Sequence, residues 1–158
     1  MPPQSLIRRA ALADAIHISS LFQALGPCFT AQPDGAGAEK FFAAISAEAI
    51  AGYIGSPRYD YWVAESAGQL AGAVALRDRR HLYHLVVAPA HQRQGLGRRL
   101  WTTAQHAALA AGNPGEFTVN ASVYGVPVYE HFGFVPVGER TILDGVVFVP
   151  MQLRMHRP

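Results

Sequence analysis

Hydrophobic and polar positions along the chain change their period near Asp60. Before that point apolar side chains recur every three to four residues, which is the period of a helix. This pattern, after a short apolar run at the start, predicts one strand and two helices: Ser5–Arg9, Ala11–Leu25 and Glu39–Ile54. We expect the second helix to break near Ser46. Between the helices, Gly26–Gly37 holds three glycines and two prolines, so it should form a loop.

After Asp60 short apolar runs separated by turn residues predict strands. Three of these runs are joined by connections short enough for hairpins and should form an antiparallel meander: Tyr61–Glu65, Leu70–Arg77 and His81–Val87. A spacing of four then predicts a long helix over Leu96–Ala111. The remaining pattern predicts a strand, a short helix and two strands: Phe117–Ala121, Pro127–Phe132, Phe134–Arg140 and Val146–Leu153.

Length and composition favour one domain over residues 1–158. The chain has 158 residues, of which 50% are apolar and 15% charged, as in globular proteins. Cys28 is the single cysteine, which excludes an internal disulfide and a paired-thiol metal site. No run of about 18 apolar residues is present, so we expect a cytoplasmic protein with no membrane partner.

Positive charge is concentrated in the segment from Ala73 to Arg99, although the whole chain carries only +2. The segment contains one acid, Asp78, and six arginines: Arg77, Arg79, Arg80, Arg93, Arg98 and Arg99. Such a cluster suits either an anion site or a solvated basic face. Nucleic-acid binding would need aromatic residues interleaved with the arginines, and they fall mostly elsewhere, so we expect no nucleic-acid partner.

The turn before the long helix is rich in glycine. Gly95 and Gly97 leave backbone amides open to a phosphate, and the helix N-terminus adds a partial positive charge. A dinucleotide fingerprint would need glycine at Leu100, and a P-loop would need Lys followed by Ser or Thr where Arg98 and Arg99 stand. Both of those sites are excluded, whereas another phosphate site and a merely structural turn remain open.

At this turn the sequence resembles a known family. Gln92-x-x-Gly95-x-Gly97, which follows a strand ending Leu85–Pro89, is similar to the coenzyme A pyrophosphate loop of the GNAT superfamily of N-acetyltransferases. A second motif resembles the family's fifth strand and the tyrosine-bearing helix after it: Asn120–Ser122 followed by Val128–Phe134.

The two motifs and the strand pattern cover the chain from Asp60 to Leu153, whereas Gly26–Ser56 matches only in containing helices. The resemblance implies an α/β (α+β) three-layer fold with a central mixed, mostly antiparallel sheet of six to seven strands. Helices would cover both faces, and the sheet would be splayed between its fourth and fifth strands. The implied acetyl-coenzyme A site comprises Leu85, Val86, Val87, Gln92, Arg93, Gln94, Gly95, Gly97, Arg98, Asn120 and Tyr129.

The resemblance further implies an N-acetyltransferase in which a primary amine attacks the thioester directly within a ternary complex. Tyr129 matches the family's general acid, although such a tyrosine also suits packing beside Phe132. Asn120 would bridge strand and cofactor, or merely cap the strand end. A catalytically idle coenzyme A-binding sensor or partner module is the alternative function.

Several groups compete for the role of general base. His81 aligns with a position where some members carry a glutamate base, and His84, Glu65 and a water molecule are alternatives. Regular alternation puts His81 and His84 on opposite faces of their strand unless a bulge intervenes. We therefore predict that the histidines form no metal site.

The acceptor is a small-molecule or peptide amine that the sequence does not identify. We expect selectivity to reside in Gly26–Ser56 and Thr141–Gly145. A group of aromatic residues suits an acceptor pocket, an apolar core or a homodimer contact equally well: Phe22, Phe41, Tyr53, Tyr59 and Trp62.

Overall fold

The computed structural model describes residues 5–155 and builds them around eight strands with helices on both faces. The strands are β1 (Leu6–Arg9), β2 (Tyr59–Ser66), β3 (Gln69–Arg77), β4 (His81–Val87), β5 (Glu116–Ala121), β6 (Val135–Pro136), β7 (Thr141–Leu143) and β8 (Val146–Arg154). The helices are α1 (Ala15–Ala24), α2 (Glu39–Ala44), α3 (Ala47–Ile54), α4 (Leu96–Ala110) and α5 (Val126–His131).

The sheet order is β1-β2-β3-β4-β5-β8-β6, and β7 pairs with β8. All neighbours are antiparallel except β4 and β5, which are parallel. The mixed, mostly antiparallel three-layer fold expected from the sequence is therefore confirmed. The predicted break in the second helix is confirmed as well, because α2 ends at Ala44 and Ser46 caps α3 through its side chain, which accepts from the N–H of Ala49 at 3.1 Å.

The C-terminal part departs from the expected pattern. The strand predicted over Phe134–Arg140 is reduced to the two residues of β6, and β7 forms over Thr141–Leu143, where no strand was predicted. Val137 still donates to the carbonyl of Pro150 at 2.9 Å, but Pro150 has no backbone N–H and so donates no hydrogen bond in return. A Cβ at Gly138 would also lie 2.7 Å from the Pro150 ring. The ladder between β6 and β8 therefore stops here.

Two apolar layers hold the helices against the sheet. On one face α4 buries Leu100, Trp101 and Ala104 against β3 and β5. On the other face α1 and α3 bury Ile18 and Ile50 against β2 and β3. Because β2 and β3 are covered on both faces, their central positions are apolar throughout and do not alternate with polar residues. No helix within residues 5–155 has the length and apolar character needed to cross a membrane.

Candidate active site

The sheet opens between β4 and β5. These strands pair only at His81–Thr118 and Leu82–Val119, and they diverge beyond that point. On the other side of β4, Ala88 donates to Ala71 at 2.8 Å, and hydrogen bonds alternate along an antiparallel pair. The N–H groups of Leu85 and Val87 therefore point into the gap rather than towards β3. The expected splay is confirmed, and it exposes unpaired backbone in the middle of the sheet.

The glycine turn is held at the end of β4 by its own side chains. Gln92 donates from Nε2 to the carbonyl of Val87 at 3.0 Å, which ties the turn to the strand. Gln94 reaches the carbonyl of Ala90 in a longer contact of 3.4 Å. The backbone then enters α4 with Gly95 at a φ of 79°, a left-handed conformation that favours glycine. Glycine is therefore required at position 95 by the backbone conformation of the turn, and its missing side chain also leaves room for a ligand.

The first turn of α4 presents unused hydrogen-bond donors. No side chain caps this helix, and within residues 5–155 the backbone N–H groups of Gly95, Leu96 and Gly97 donate to no protein acceptor. The helix is 15 residues long, so its dipole adds positive potential at the same place. A Cβ at Gly95 would meet nothing within 4 Å, which leaves the turn open from outside. The arrangement is chemically suited to a phosphate or diphosphate.

Two arginines flank this turn. Arg98 donates to the carbonyl of His131 at 3.2 Å, and its guanidinium lies 5.3 Å from the centroid of the Phe132 ring. This contact joins α4 to α5 across the mouth of the gap. Arg93 lies in the turn itself, with a φ of 63°. Neither Arg93 nor Arg98 forms an ion pair with an acid of residues 5–155, so both retain charge for an anionic ligand.

The other arginines of the basic segment lie elsewhere. Arg99 turns away and donates to the carbonyl of Ser5 at 2.8 Å. Arg77 ends β3, and Arg79 and Arg80 belong to the β3–β4 connection, at the opposite end of β4 from the glycine turn. The charge cluster in the sequence is therefore divided in space, and only Arg93 and Arg98 face the gap.

Tyr129 approaches the gap from α5 and is buried. Its ring packs against Phe132 and Phe134, with centroids 6.0 and 5.8 Å away, so the packing role considered from the sequence is present. Its hydroxyl makes no hydrogen bond to any group of residues 5–155, and burial raises the pKa of Tyr129 well above its usual value. Asn120 is exposed on β5, one residue beyond the last pair that β5 makes with β4, and it lines the same gap.

All of these groups border one cleft of about 870 Å³. It runs from the glycine turn along the gap between β4 and β5 and ends among aromatic side chains from α1, α2 and β8. Every residue expected from the sequence to bind the cofactor lines it except Gln94. A volume of this size is within the range of sites that enclose small molecules and cofactors.

Comparison with known proteins decides the family. Residues 29–155 match the family described as the acetyltransferase (GNAT) domain. The chain belongs to the GNAT superfamily of acetyltransferases. This match covers four-fifths of the residues, including the segment around Gly26–Ser56 that resembles the family least by its motifs.

Individual proteins similar to this GNAT chain share about a third of its residues or fewer over the aligned length. It is 32% identical over 98 residues to N-acetyltransferase family 8 member 3 of Rattus norvegicus, an alignment that covers 55% of this chain and 43% of the rat protein. The chain thus spans less than half of that curated relative. A GCN5-related N-acetyltransferase from Rhodopseudomonas palustris has the same fold, with a TM-score of 0.76, 19% identity and 98% of both chains covered.

A third similar protein carries a ligand. The PaiA N-acetyltransferase from Thermoplasma acidophilum, solved in complex with coenzyme A, superposes with a TM-score of 0.74 at 17% identity. The superposition covers 97% of this chain and 100% of that one. At this level of identity the likeness shows the fold.

A β-bulge changes the geometry of the histidines in this GNAT chain. Ala75 pairs with His84 and Leu76 with Leu82, so Tyr83 is an extra residue in β4. Since Arg77 pairs with His81, and Arg77 and Ala75 share a face, His81 and His84 lie on the same face of the sheet. The expectation that His81 and His84 lie on opposite faces of β4 is therefore wrong. The cause is a β-bulge, which is the exception named for that expectation. Within residues 5–155 no three groups are placed to hold a metal ion.

The candidate bases differ in their access to the cleft. His84 lines it, is buried, and shares a 2.8 Å hydrogen bond between its Nδ1 and the Tyr61 hydroxyl. His81 is not among the lining residues, and its Nδ1 lies 2.8 Å from Thr118 Oγ1. Burial lowers the pKa of His84 to about 3, and burial together with Arg77 lowers the pKa of His81 to about 4. Glu65 is engaged with Arg8, away from the cleft.

The end of the cleft opposite the glycine turn is closed by a junction between distant segments. Ala31 donates to the carbonyl of Gly145 at 2.8 Å, and Val147 donates to that of Phe29 at 3.1 Å. A Cβ at Gly145 would lie 2.5 Å from the carbonyl carbon of Gly37, so only glycine fits this crossing. Both segments expected to carry selectivity therefore meet here.

Sequence reasoning found some of the residues at this end and missed others. Phe22 and Phe41 line the cleft as proposed, whereas Tyr53, Tyr59 and Trp62 do not. The lining residues that were not anticipated include Cys28, Phe29, Tyr83, Val146 and Phe148. Tyr83 enters through the bulge, and the others through the junction at Gly145. The glycine after Asp144 is the one local signal that marks a tight crossing in the sequence.

Proposed function

We propose that this chain transfers the acetyl group of acetyl-coenzyme A to a primary amine by direct attack within a ternary complex. The observation that carries the proposal is the set of three unused amides, at Gly95, Leu96 and Gly97, beside a gap of unpaired backbone. The residues fit the cofactor on two independent grounds. Unpaired donors and two unpaired arginines suit its diphosphate, and a narrow gap between strands suits its extended pantetheine arm.

The backbone of β4 is proposed to hold the thioester. The N–H groups of Leu85 and Val87 point into the gap, where one of them would donate to the thioester carbonyl. Such a donor stabilises the oxyanion that forms when the amine attacks. Because the donor is backbone, its position is fixed by the sheet and needs no side-chain rearrangement.

Tyr129 is proposed to protonate the departing thiolate. Its raised pKa keeps the phenol protonated throughout the neutral range, so the proton is present when the carbon–sulfur bond breaks. The hydroxyl has no competing partner in residues 5–155, which leaves it free to donate to sulfur. The amine in turn would lose its proton to water or to His84, the candidate base among the lining residues, and His81 stays a prediction for a more distant proton acceptor.

The proposal is tested by calorimetry with acetyl-coenzyme A and by release of free thiol in the presence of a panel of amines. We expect saturable binding and amine-dependent thiol release. Binding without turnover on any amine would instead support the idle sensor. That alternative draws on the low pKa of His84, which makes this histidine a weak base. Absence of binding would remove both functions.

A further inference from the structure

The closed end of the cleft is lined by a wall of aromatic rings, which we call the aromatic wall: Phe22, Phe29, Phe41, Tyr83, His84 and Phe148. Five of the six rings, all but that of Phe148, contact one another in a chain. Phe29 lies between Phe22 and Phe41, with centroids 6.2 and 5.6 Å apart. His84 lies 4.6 Å from Phe22 and 4.5 Å from Tyr83. The wall is therefore a continuous apolar surface directly beside the proposed thioester site.

The charges around the cleft are distributed unequally. Among residues 5–155, those that line the cleft include no aspartate and no glutamate. Its two arginines, Arg93 and Arg98, lie at the glycine turn, and α1, α2, β8 and the loop after α1 contribute no lysine or arginine to the lining. A second ammonium group on the acceptor would find no carboxylate at the wall, and a carboxylate would find no cation. Either charge would be desolvated without a partner.

We infer that the acceptor is a primary amine on an apolar, aromatic body that carries no second charge. This inference rests on the proposed function and names its substrate class. The aromatic wall takes the apolar body by burial and ring contacts, which favours arylalkylamines over short alkylamines. Because the wall offers neither a carboxylate nor a cation, polyamines, aminoglycosides and free amino acids should bind poorly there.

The same surroundings help to produce the reactive form of the amine. Attack requires an unprotonated nitrogen, and an apolar environment disfavours the ammonium form. His84 and Tyr61 are buried and neutral, so the wall offers no negative charge that would hold the ammonium ion. The amine nitrogen forms the new bond to the acetyl carbon, and the carbon–sulfur bond breaks as the thiolate takes the proton of Tyr129. The proton lost by nitrogen leaves to water, from which Tyr129 regains its own.

The first test compares kcat/KM for 2-phenylethylamine, propylamine, spermidine and phenylalanine with acetyl-coenzyme A as donor. We expect 2-phenylethylamine to exceed each of the others by about 100-fold or more, since a lone buried charge or a lost ring costs several kcal/mol. Equal or better turnover of spermidine or phenylalanine would overturn the substrate class while leaving the acetyltransferase proposal intact.

The second test uses Cys28, which lines the cleft beside Phe29 and is exposed to solvent. As the only cysteine, it reports alkylation by a maleimide without interference from other protein thiols. In the presence of desulfo-coenzyme A, which has no thiol, we expect 2-phenylethylamine to slow this alkylation and spermidine to leave it unchanged. This result does not depend on turnover. Protection by spermidine, or none by 2-phenylethylamine, would overturn the inference even if no amine is acetylated.

A matched pair of variants tests the role of charge. Cys28→Asp adds a carboxylate at an exposed position, and Cys28→Asn has nearly the same shape without the charge. The ratio of kcat/KM for spermidine to that for 2-phenylethylamine should rise by about tenfold or more in Cys28→Asp relative to Cys28→Asn. An unchanged ratio would show that charge at the wall does not select the acceptor.

Discussion

Tyr129 combines a packing role with a hydroxyl left free, and the two can be separated by one substitution. Tyr129→Phe keeps the ring contacts with Phe132 and Phe134 and removes only the proton donor. We expect kcat to fall by about tenfold or more, while the Kd for acetyl-coenzyme A changes little. Steady-state kinetics and calorimetry measure the two effects separately.

The control for this variant is Tyr124→Phe, because Tyr124 also lines the cleft but is 75% exposed. Loss of its hydroxyl should reduce kcat much less than loss of the Tyr129 hydroxyl. If kcat were the same in Tyr129→Phe and the natural protein, Tyr129 would have no part in the chemistry and would serve only to pack α5.

His84 should make the stability of the fold depend on pH. Its pKa falls from 6.5 in an ordinary environment to about 3 in the folded protein, so the unfolded chain binds the proton first. The free energy of unfolding should therefore be highest above pH 6.5 and decrease as pH falls towards 4.5, by about 1.4 kcal/mol per pH unit from this residue. Urea titrations at several pH values measure the slope.

The matched variants are His84→Gln and His106→Gln, since His106 is exposed on α4. We expect the first substitution to reduce the slope between pH 6.5 and 4.5 and the second to leave it as it is. His81, with its pKa lowered to about 4, should account for part of the slope that remains. An identical slope in His84→Gln would mean that His84 titrates normally in the folded protein.

At the residue scale, the position of Tyr129 in the cleft could be predicted because a motif surrounds it, but the histidines were misplaced, and the catalytic role of Tyr129 stays a prediction. The bulge at Tyr83 arises from pairing with β3 and depends on the register of a neighbouring strand. Nothing in the local pattern of β4 marks it, because the alternation of apolar and polar residues there is compatible with a regular strand.

At the level of elements, the start of α4 carries the proposed cofactor site, and Gly97 offers a direct test. A Cβ at this position would meet only a methyl group of Val87 at 3.8 Å, so a side chain is tolerated by the fold. Gly97→Asp should weaken acetyl-coenzyme A binding strongly, because it puts a negative charge beside the diphosphate, while the negative charge favours the helix itself. Calorimetry and thermal unfolding measure the two opposite effects.

Gly97→Asn has nearly the same volume without the charge and is the matched control. We expect the Kd in Gly97→Asp to exceed that in Gly97→Asn by about tenfold or more. Equal Kd values would indicate that volume rather than charge matters at this position, and unchanged affinity in both variants would contradict the proposed location of the diphosphate.

The elements before β6 could be predicted well, because each has a clear period and a clear stop such as Ser46 or Gly112. The last part could not. The short length of β6 follows from Pro150, which lies in a different strand, and β7 forms because it pairs with β8. A periodicity argument considers one segment at a time and does not see such partners.

At the scale of the whole molecule, the arginines of the basic segment are divided between the two ends of β4. We therefore expect them to differ in their effect on the affinity for acetyl-coenzyme A. Arg93 lines the cleft, whereas Arg80 lies at the other end of the strand. Arg93→Gln should raise the Kd for acetyl-coenzyme A by about tenfold, as expected for one lost charge-assisted hydrogen bond, and Arg80→Gln should leave it unchanged. Similar effects of both variants would point to the overall charge of the protein rather than to a local contact.

The aromatic wall of the cleft could not be predicted from the sequence alone. Phe22, Phe41 and Phe148 come from three elements that are far apart in the chain, and the crossing of Gly37 with Gly145 brings them together. The proposed diphosphate site, in contrast, lies within six consecutive residues and could be predicted from them. Local sites are encoded by local sequence, whereas this wall depends on the complete fold.

The most direct test of the central claim is the backbone amide NMR spectrum of the protein during titration with coenzyme A and, separately, with pantetheine, which lacks the diphosphate. If the start of α4 binds the diphosphate, the N–H signals of Gly95, Leu96 and Gly97 will shift downfield with coenzyme A and remain in place with pantetheine. If these three signals stay unchanged when coenzyme A is saturating, the cofactor does not bind at this helix and the proposed enzyme mechanism is wrong.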